Sequence, residues 1–148
     1  MKIVRGSVWF FLFAFVGLVS ARAEPDWLTD FPKAQAQAKT EHKLLLLDFT
    51  GSDWCGWCRR LEAEVFSKPA FAEYAKENLV LVRADFPRNK PLTLEVRKQN
   101  QELAERFAVN GFPTIVVLNS QGKPVGLLGY MEGGPGPFID ELKKLPKS

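Results

Sequence analysis

The chain has two cysteines, Cys55 and Cys58, separated by the dipeptide Gly56-Trp57. Two thiols at this spacing are typical of a dithiol that exchanges with disulfides, and the attacking species in that exchange is the thiolate. A free thiol of pKa ~8.5 is only a few per cent ionised at pH 7, so a reactive cysteine needs surroundings that lower its pKa. The helix predicted around the two cysteines indicates which of them has such surroundings.

A row of apolar residues recurs at helical spacing through this segment: Trp54, Cys58, Leu61 and Val65. We predict that a helix here buries the row and shelters Cys58. Cys55 lies off the row, and at the first turn its sulfur would face unpaired backbone N–H groups and the positive end of the helix dipole. Both favour the thiolate, so the spacing predicts an exposed, attacking Cys55 and a sheltered, resolving Cys58.

Three other uses of the cysteines stay open. A structural disulfide is common in exported proteins, but closing a loop of about four residues contributes only about 2 kcal/mol, against nearly 5 kcal/mol for about a hundred residues. A zinc site needs four ligands, and because His42 is the only histidine, a second chain would have to contribute. Inert core thiols fit poorly with the inserted Gly56-Trp57 and the flanking Arg59 and Arg60. We therefore favour redox chemistry, with no metal and no organic cofactor.

The N-terminus has the pattern of a secretory signal. Lys2 and Arg5 precede an apolar run at 8–19, and small residues flank the expected cleavage point. We predict a signal peptide at 1–23 and one mature domain at 24–148. The apolar run is short for a membrane span, which needs ~20 residues, although an uncleaved anchor stays open. A lipid-anchored start is excluded because no cysteine lies near the cleavage point.

Cleavage would also remove the net charge of the chain. The whole chain has 20 basic side chains, and loss of Lys2, Arg5 and Arg22 leaves 17 against 17 acidic ones. A neutral domain gives no reason to expect binding to nucleic acid or to an anionic membrane surface. We expect an extracytoplasmic monomer, periplasmic or secreted, whose dithiol stays oxidised unless a reductant feeds it.

The elements that must position the dithiol follow from periodicity and from turn residues. The predicted order is a helix at 33–42 capped by Asp30, a buried strand at 44–49, the dithiol helix, a helix at 69–77, a strand at 79–85, a polar inserted segment at 87–98, a helix capped by Asn100, strands at 114–118 and 125–130 joined by a hairpin, and a final helix. Crossover helices early in the chain and a hairpin late predict an α/β sandwich with a mixed β-sheet.

Asp48 is the one polar residue in the apolar strand at 44–49. A buried carboxylate costs several kcal/mol, so it should be hydrogen-bonded, protonated or kept for chemistry. Only six residues lie between Asp48 and Cys55, so Asp48 could lie beneath the dithiol and take the proton of Cys58. The alternative is a structural aspartate that binds the turn at 50–52. Arg83, in the next strand, is predicted to be solvated.

Three segments together resemble conserved segments of the thioredoxin superfamily: Asp48-Phe49, Trp54-Cys55-Gly56-Trp57-Cys58 and Gly111-Phe112-Pro113-Thr114. The lead-in to the first cysteine, 49–55, is most similar to exported, single-domain thioredoxin-like proteins of bacteria. The resemblance covers most of residues 27–145 and implies a thioredoxin-like sandwich, a central mixed sheet flanked by helices.

The resemblance also implies roles for single residues. Cys55 matches the nucleophile, Cys58 the resolving thiol, Asp48 the buried acid and Pro113 a cis-proline opposite the dithiol. The backbone before that proline, at Phe112, would pair with the substrate chain. A trans proline at a strand start is the alternative for Pro113. The same surface would include the apolar side chains of Trp54 and Trp57.

Three departures from thioredoxin bear on the direction of electron flow. The dipeptide between the cysteines is Gly-Trp instead of Gly-Pro, one extra residue separates Asp48 from Cys55, and the segment 87–98 is inserted. We expect an exported thiol–disulfide oxidoreductase acting on protein cysteines, with the reductase or isomerase direction favoured and a membrane electron donor as a further partner. The alternatives are a redox-silent binding or chaperone module and delivery of copper or zinc through the thiolates.

Overall fold

The computed structural model describes residues 24–148, so the predicted signal peptide at 1–23 lies outside the described residues. The elements are β1 (Trp27–Leu28), α1 (Phe31–Glu41), β2 (Leu44–Thr50), α2 (Gly56–Leu61), a π-helical segment (Glu62–Phe66), α3 (Pro69–Asn78), β3 (Leu79–Asp85), α4 (Leu94–Arg106), β4 (Thr114–Leu118), β5 (Pro124–Leu128) and α5 (Pro135–Lys143). Over residues 24–148, helices long and apolar enough to cross a membrane are absent.

The five strands form one sheet in the order β1-β3-β2-β4-β5. β3 runs parallel to both β1 and β2, whereas β4 is antiparallel to β2 and β5 is antiparallel to β4. The central strand β2 is buried along its whole length, because helices cover both faces of the sheet. This architecture confirms the predicted α/β sandwich with a mixed sheet.

Alternation along β2 divides its side chains between two cores. Leu44 and Leu46 face a core built with α2, the π-helical segment, α3 and α5. Leu45, Leu47 and Phe49 face a core built with α1 and α4. Position 48 has the same parity as Leu44 and Leu46, so Asp48 points to the face that α2 covers. The helix carrying the dithiol and the buried carboxylate therefore share one side of the sheet.

Most predicted elements are present, with shifted ends. Asp30 caps α1 as predicted, since its carboxylate accepts a hydrogen bond from Lys33 N at 3.0 Å. β5 ends at Leu128, two residues before the predicted end. The two-residue β1 was not predicted, because two paired residues leave no periodic pattern.

The prediction for the start of α4 was wrong. The helix begins at Leu94, and its cap is Thr93, whose Oγ1 accepts a hydrogen bond from Val96 N at 3.3 Å. Asn100, the predicted cap, lies inside the helix, where its buried amide donates to Asp85 O at 2.9 Å. The first turns of α4 are exposed and so lack the apolar periodicity that reveals a helix. The predicted insertion at 87–98 is thus a short loop followed by helix.

Candidate redox site

The two cysteines form a disulfide at the start of α2, with their Cα atoms 5.3 Å apart. Cys55 is the residue that caps the helix, and its sulfur accepts a hydrogen bond from Cys58 N at 3.1 Å. The predicted placement of the Cys55 sulfur, against the free N–H groups of the first turn, is therefore confirmed. In the reduced protein the same N–H group would stabilise a thiolate on Cys55.

The predicted difference in exposure between the two cysteines is wrong for the disulfide form. Cys55 is 6% exposed and Cys58 is 5% exposed. The reason is that the capping sulfur of Cys55 turns inwards to its hydrogen-bond donor and is bonded to Cys58. What distinguishes the two sulfurs is the hydrogen bond that Cys55 accepts.

The buried row predicted for the dithiol helix is present in part. Cys58, Leu61 and Val65 are buried, as the spacing predicted. Trp54 precedes the helix and belongs to a turn in which Cys55 N donates to Gly51 O at 2.8 Å. A glycine is needed at position 51, because a Cβ there would overlap the Trp54 indole.

Asp48 is 3% exposed and lies two residues before the end of β2. Burial raises the pKa of its carboxyl to about 7, although the positive charge of Arg83 acts in the opposite direction. Arg83 Nε lies 3.6 Å from Asp48 Oδ2, which is an ion-pair distance but too long for a hydrogen bond. A carboxyl with a pKa close to neutral can take up and release protons at physiological pH.

Arg83 is the residue whose predicted role was wrong. It was expected to be solvated, but it lies opposite Asp48 in the β2–β3 register and on the same face as Leu79 and Leu81. Its guanidinium forms an ion pair with Glu62, at 2.5 Å. The same group stacks 4.2 Å above the Trp27 ring. The parity of Arg83 with the buried leucines of its strand is the sequence signal that could have placed it correctly.

Aromatic residues join the turn before Cys55 to the loop before β4. The Phe112–Pro113 peptide bond is cis, as the resemblance implied. The Phe112 ring lies 5.8 Å from that of Trp54 and 5.1 Å from that of Phe86, between centroids. The sequence-predicted residues Trp54, Phe112 and Pro113 are thus brought together.

A second aromatic cluster surrounds Trp57, which is 56% exposed and lies 5.2 Å from the Tyr130 ring, between centroids. Arg60 stacks over both rings, at 5.5 Å and 5.0 Å, and pairs with Glu64 at 2.7 Å. Tyr130 donates a hydrogen bond to Glu64 at 2.6 Å. This cluster holds Trp57 at the surface. Sequence analysis did not associate Tyr130 with the site, because no local pattern brings it to α2.

Side chains also fasten the turn at 51–54 to the loop after β3. Asp53 accepts hydrogen bonds from Arg88 N at 3.0 Å and from Asn89 N at 2.7 Å. Ser52 donates from its backbone and its hydroxyl to Asp85, at 2.9 Å and 2.6 Å. Sequence analysis did not find this role of Asp53, because nothing in the sequence pairs it with a loop more than thirty residues away.

Comparison with known proteins agrees with this geometry. The model of the thioredoxin-like domain family matches residues 31–145. Disulfide bond reductase DsbH of Chlamydia pneumoniae is 33% identical over 127 residues, which are 86% of this chain and 76% of that protein. Thiol:disulfide interchange protein DsbD of Photorhabdus laumondii is 33% identical over 116 residues, 76% of this chain but only 18% of the relative.

Solved structures give the same result. A structure of the DsbH oxidoreductase has a TM-score of 0.78 at 33% identity and covers 82% of this chain and 84% of its own. The reduced C-terminal domain of DsbD from Neisseria meningitidis has a TM-score of 0.59 and covers 78% and 93%, but at 24% identity it supports the fold alone. The chain belongs to the thioredoxin-like family and is a thiol–disulfide oxidoreductase.

Proposed function

We propose that this protein is an exported oxidoreductase that reduces or isomerises disulfides in other proteins. The observation that carries the proposal is the hydrogen bond from Cys58 N to the Cys55 sulfur, which would stabilise a thiolate at the start of α2. The reductase direction is further supported by the relative that carries the name disulfide bond reductase and is 33% identical over 127 residues.

In the proposed reaction, the Cys55 thiolate attacks one sulfur of a substrate disulfide. A new S–S bond forms between Cys55 and the substrate, and the other substrate sulfur leaves as a thiolate. Cys58, once deprotonated, attacks the Cys55 sulfur of this mixed disulfide and releases the second substrate thiolate. The dithiol loses two electrons and two protons, and the substrate disulfide gains them. A reductant must then restore the dithiol.

We propose that Asp48 accepts the proton of Cys58 when this thiol attacks the mixed disulfide. Its carboxyl is buried on the face of the sheet that α2 covers, and its pKa of about 7 allows it to accept a proton near neutral pH. Arg83 pairs with Asp48 and with Glu62, and the side chain of Glu62 is 45% exposed. Because an arginine side chain stays protonated, Arg83 does not relay this proton, and its positive charge acts on Asp48 only by lowering the pKa of the carboxyl.

The substrate is proposed to lie between the Trp54–Phe112 pair and Trp57. Phe112 would pair through its backbone with the substrate chain, and Pro113 would face the dithiol. Trp54 and the exposed Trp57 would contact apolar side chains beside the substrate cysteine. This surface is compatible with protein substrates of varied sequence.

The export of the protein is proposed from the pattern of residues 1–23, with the mature domain at 24–148 working outside the cytoplasm. A reducing dithiol in an oxidising compartment needs a source of electrons. We therefore propose a membrane protein as electron donor and an oxidoreductase that acts as a monomer.

Reduction of insulin by dithiothreitol, followed by turbidity, tests the proposed activity. We expect the mature protein to accelerate reduction and Cys55→Ser to abolish the acceleration. Ala63→Ser, at an exposed position in the π-helical segment that follows α2, is a control. A Cys55→Ser protein as active as the parent would favour a redox-silent binding module. One copper or zinc ion bound per chain after anaerobic purification would favour metal delivery.

A further inference from the structure

A cleft of about 400 Å³ lies next to the dithiol turn, between the loop after β3 and the first turns of α4. Three cationic residues line it: Arg88, Lys90 and Arg97. All three are exposed, and none forms an ion pair with a carboxylate among residues 24–148. Their charges are thus available to an anion from outside the chain.

The one carboxylate that lines the cleft, Asp85, is already engaged. Both of its oxygens accept hydrogen bonds from Ser52, at 2.9 Å and 2.6 Å. The nearby carboxylate of Asp53 is held by Arg88 N and Asn89 N, and these hydrogen bonds, with a smaller effect of the positive charge of Lys90, lower its pKa. The two carboxylates beside the cleft therefore hold the turn and the loop in place through hydrogen bonds, while the three cations line the surface of the cleft.

The cleft is fixed to the redox site. Trp54, the residue before Cys55, donates from its indole N–H to Phe86 O at 2.8 Å. The Arg88 guanidinium stacks 4.1 Å above the Trp54 ring, and Phe86 contacts the ring of Phe112. An extended substrate chain that passes Phe112 and Trp54 would therefore pass close to Arg88.

We propose that this cationic cleft binds acidic side chains that flank the reacting cysteine of the substrate polypeptide, and so selects acidic protein segments. The inference rests on the proposed function, because it names the class of substrate for the same dithiol. Three convergent cations beside an apolar contact surface favour a segment with two or three Asp or Glu residues. Their attraction should speed the encounter and weaken with salt.

Three peptides test the inference. Each has one cysteine in a disulfide with a small neutral thiol, and they differ only in acidic, amide or lysine residues on the flank. For the reduced mature protein we expect the acidic peptide to react about tenfold faster than the amide peptide at low salt and nearly equally at high salt. The lysine peptide should be the slowest. Equal rates for the three peptides would overturn the inference while leaving the redox function intact.

The variant Arg88→Gln/Lys90→Gln/Arg97→Gln should lose the ratio between the acidic and amide peptides. Its matched control is Lys39→Gln/Lys76→Gln/Lys123→Gln, three exposed positions near the opposite end of the sheet, which should keep the ratio. A ratio that survives in the cleft variant, or falls equally in the control, would contradict the inference. If oxidised glutathione alone is slowed in the cleft variant, the occupant is a small anion and the inference is again wrong.

Binding without chemistry separates this inference from the proposed function. A labelled acidic peptide that lacks cysteine should bind the oxidised protein, as measured by fluorescence anisotropy, and bind at least several-fold more weakly to the cleft variant. Failure of every peptide to be reduced, with this binding intact, would reject the redox function and keep the cleft. No binding and no effect of peptide charge on the rate would reject the cleft alone.

Discussion

Asp48 and Arg83 lie opposite each other in the β2–β3 register, and Arg83 Nε is 3.6 Å from Asp48 Oδ2. The ion pair is incomplete, since Asp48 Oδ1 and Arg83 Nε make no hydrogen bond with any residue of 24–148. Arg83 is instead drawn to Glu62 and to the ring of Trp27. The carboxyl is thus left in a setting where burial outweighs the nearby cation, which is why its pKa is about 7.

The first prediction concerns the stability contributed by Asp48. Its pKa of about 7 in the folded protein lies above the ordinary value of 3.8, so between these pH values the folded state binds more protons than the unfolded state. The free energy of unfolding should therefore fall as pH rises through this window. Asp48→Asn removes the titrating group and should be more stable than the parent at pH 8, by about 4 kcal/mol, with little gain near pH 4.

Urea unfolding of both oxidised proteins at a series of pH values measures this difference. The control is Asp140→Asn, an exposed carboxylate in α5. A difference between Asp48→Asn and its parent that does not change with pH would contradict the buried, protonated carboxyl.

The second prediction concerns the role of Asp48 in resolution. Asp48→Asn keeps the size of the side chain but cannot accept a proton, so Cys58 should attack the mixed disulfide more slowly near neutral pH. Loss of a general base typically costs about 10²-fold or more. Stopped-flow release of substrate from a preformed mixed disulfide measures the step. Unchanged release would return Asp48 to a structural role.

The third prediction concerns Arg83. Its positive charge lowers the pKa of Asp48, so Arg83→Met should raise that pKa further while keeping apolar contact with Trp27. The inflection in the pH profile of mixed-disulfide release should move to higher pH. Arg59→Met, which removes an exposed charge from the same site, is the control. An unshifted inflection in Arg83→Met would mean that Arg83 does not act on Asp48.

The fourth prediction concerns the two sulfurs. Because Cys55 accepts the Cys58 N–H, its thiol should have the lower pKa in the reduced protein. Iodoacetamide at neutral pH should label Cys55 first, as peptide mass spectrometry would show, and Cys58→Ser should accumulate mixed disulfides with substrates. Preferential labelling of Cys58 would overturn the assigned roles.

The fifth prediction concerns Asp53, which holds the cationic loop. Asp53→Ala removes the acceptor for Arg88 N and Asn89 N, so these two amides should exchange with solvent about tenfold faster. Asp53→Asn retains an oxygen acceptor and should show a smaller change. Amide exchange measured by NMR reports both variants, and equal exchange in Asp53→Ala and the parent would show that the loop is held by other contacts.

Local patterns predicted the parts of this protein that rest on local physics. The row of Cys58, Leu61 and Val65 and the apolar strand around Asp48 each satisfy a simple period, and both are buried as expected. The position of the Cys55 sulfur against the free N–H groups of the first turn followed from the same helix phase. The cis bond before Pro113 came from family resemblance, since spacing alone contains no signal for it.

The features that were missed depend on contacts between distant segments. Asp53 and Arg88 are far apart in the sequence, as are Glu64 and Tyr130, and only the folded sheet brings each pair together. Arg83 was predicted to face solvent because it is charged, although its position in the strand puts it on the same face as Leu79 and Leu81. Stacking of its guanidinium on Trp27 and pairing with Glu62 explain why the strand tolerates it.

The reduction potential of the mature protein tests the proposed reductase most directly. Thioredoxin-like dithiols range from about −270 mV for reductants to about −120 mV for oxidants, and 30 mV corresponds to ~1.4 kcal/mol. The Gly56-Trp57 dipeptide has no histidine to hold the Cys55 thiolate by charge, and Asp48 is suited to help Cys58 close the disulfide. Equilibration with glutathione buffers should therefore give a potential in the reducing half of that range. A potential near the oxidant end, with a strongly acidic Cys55, would mean that the protein donates disulfides instead.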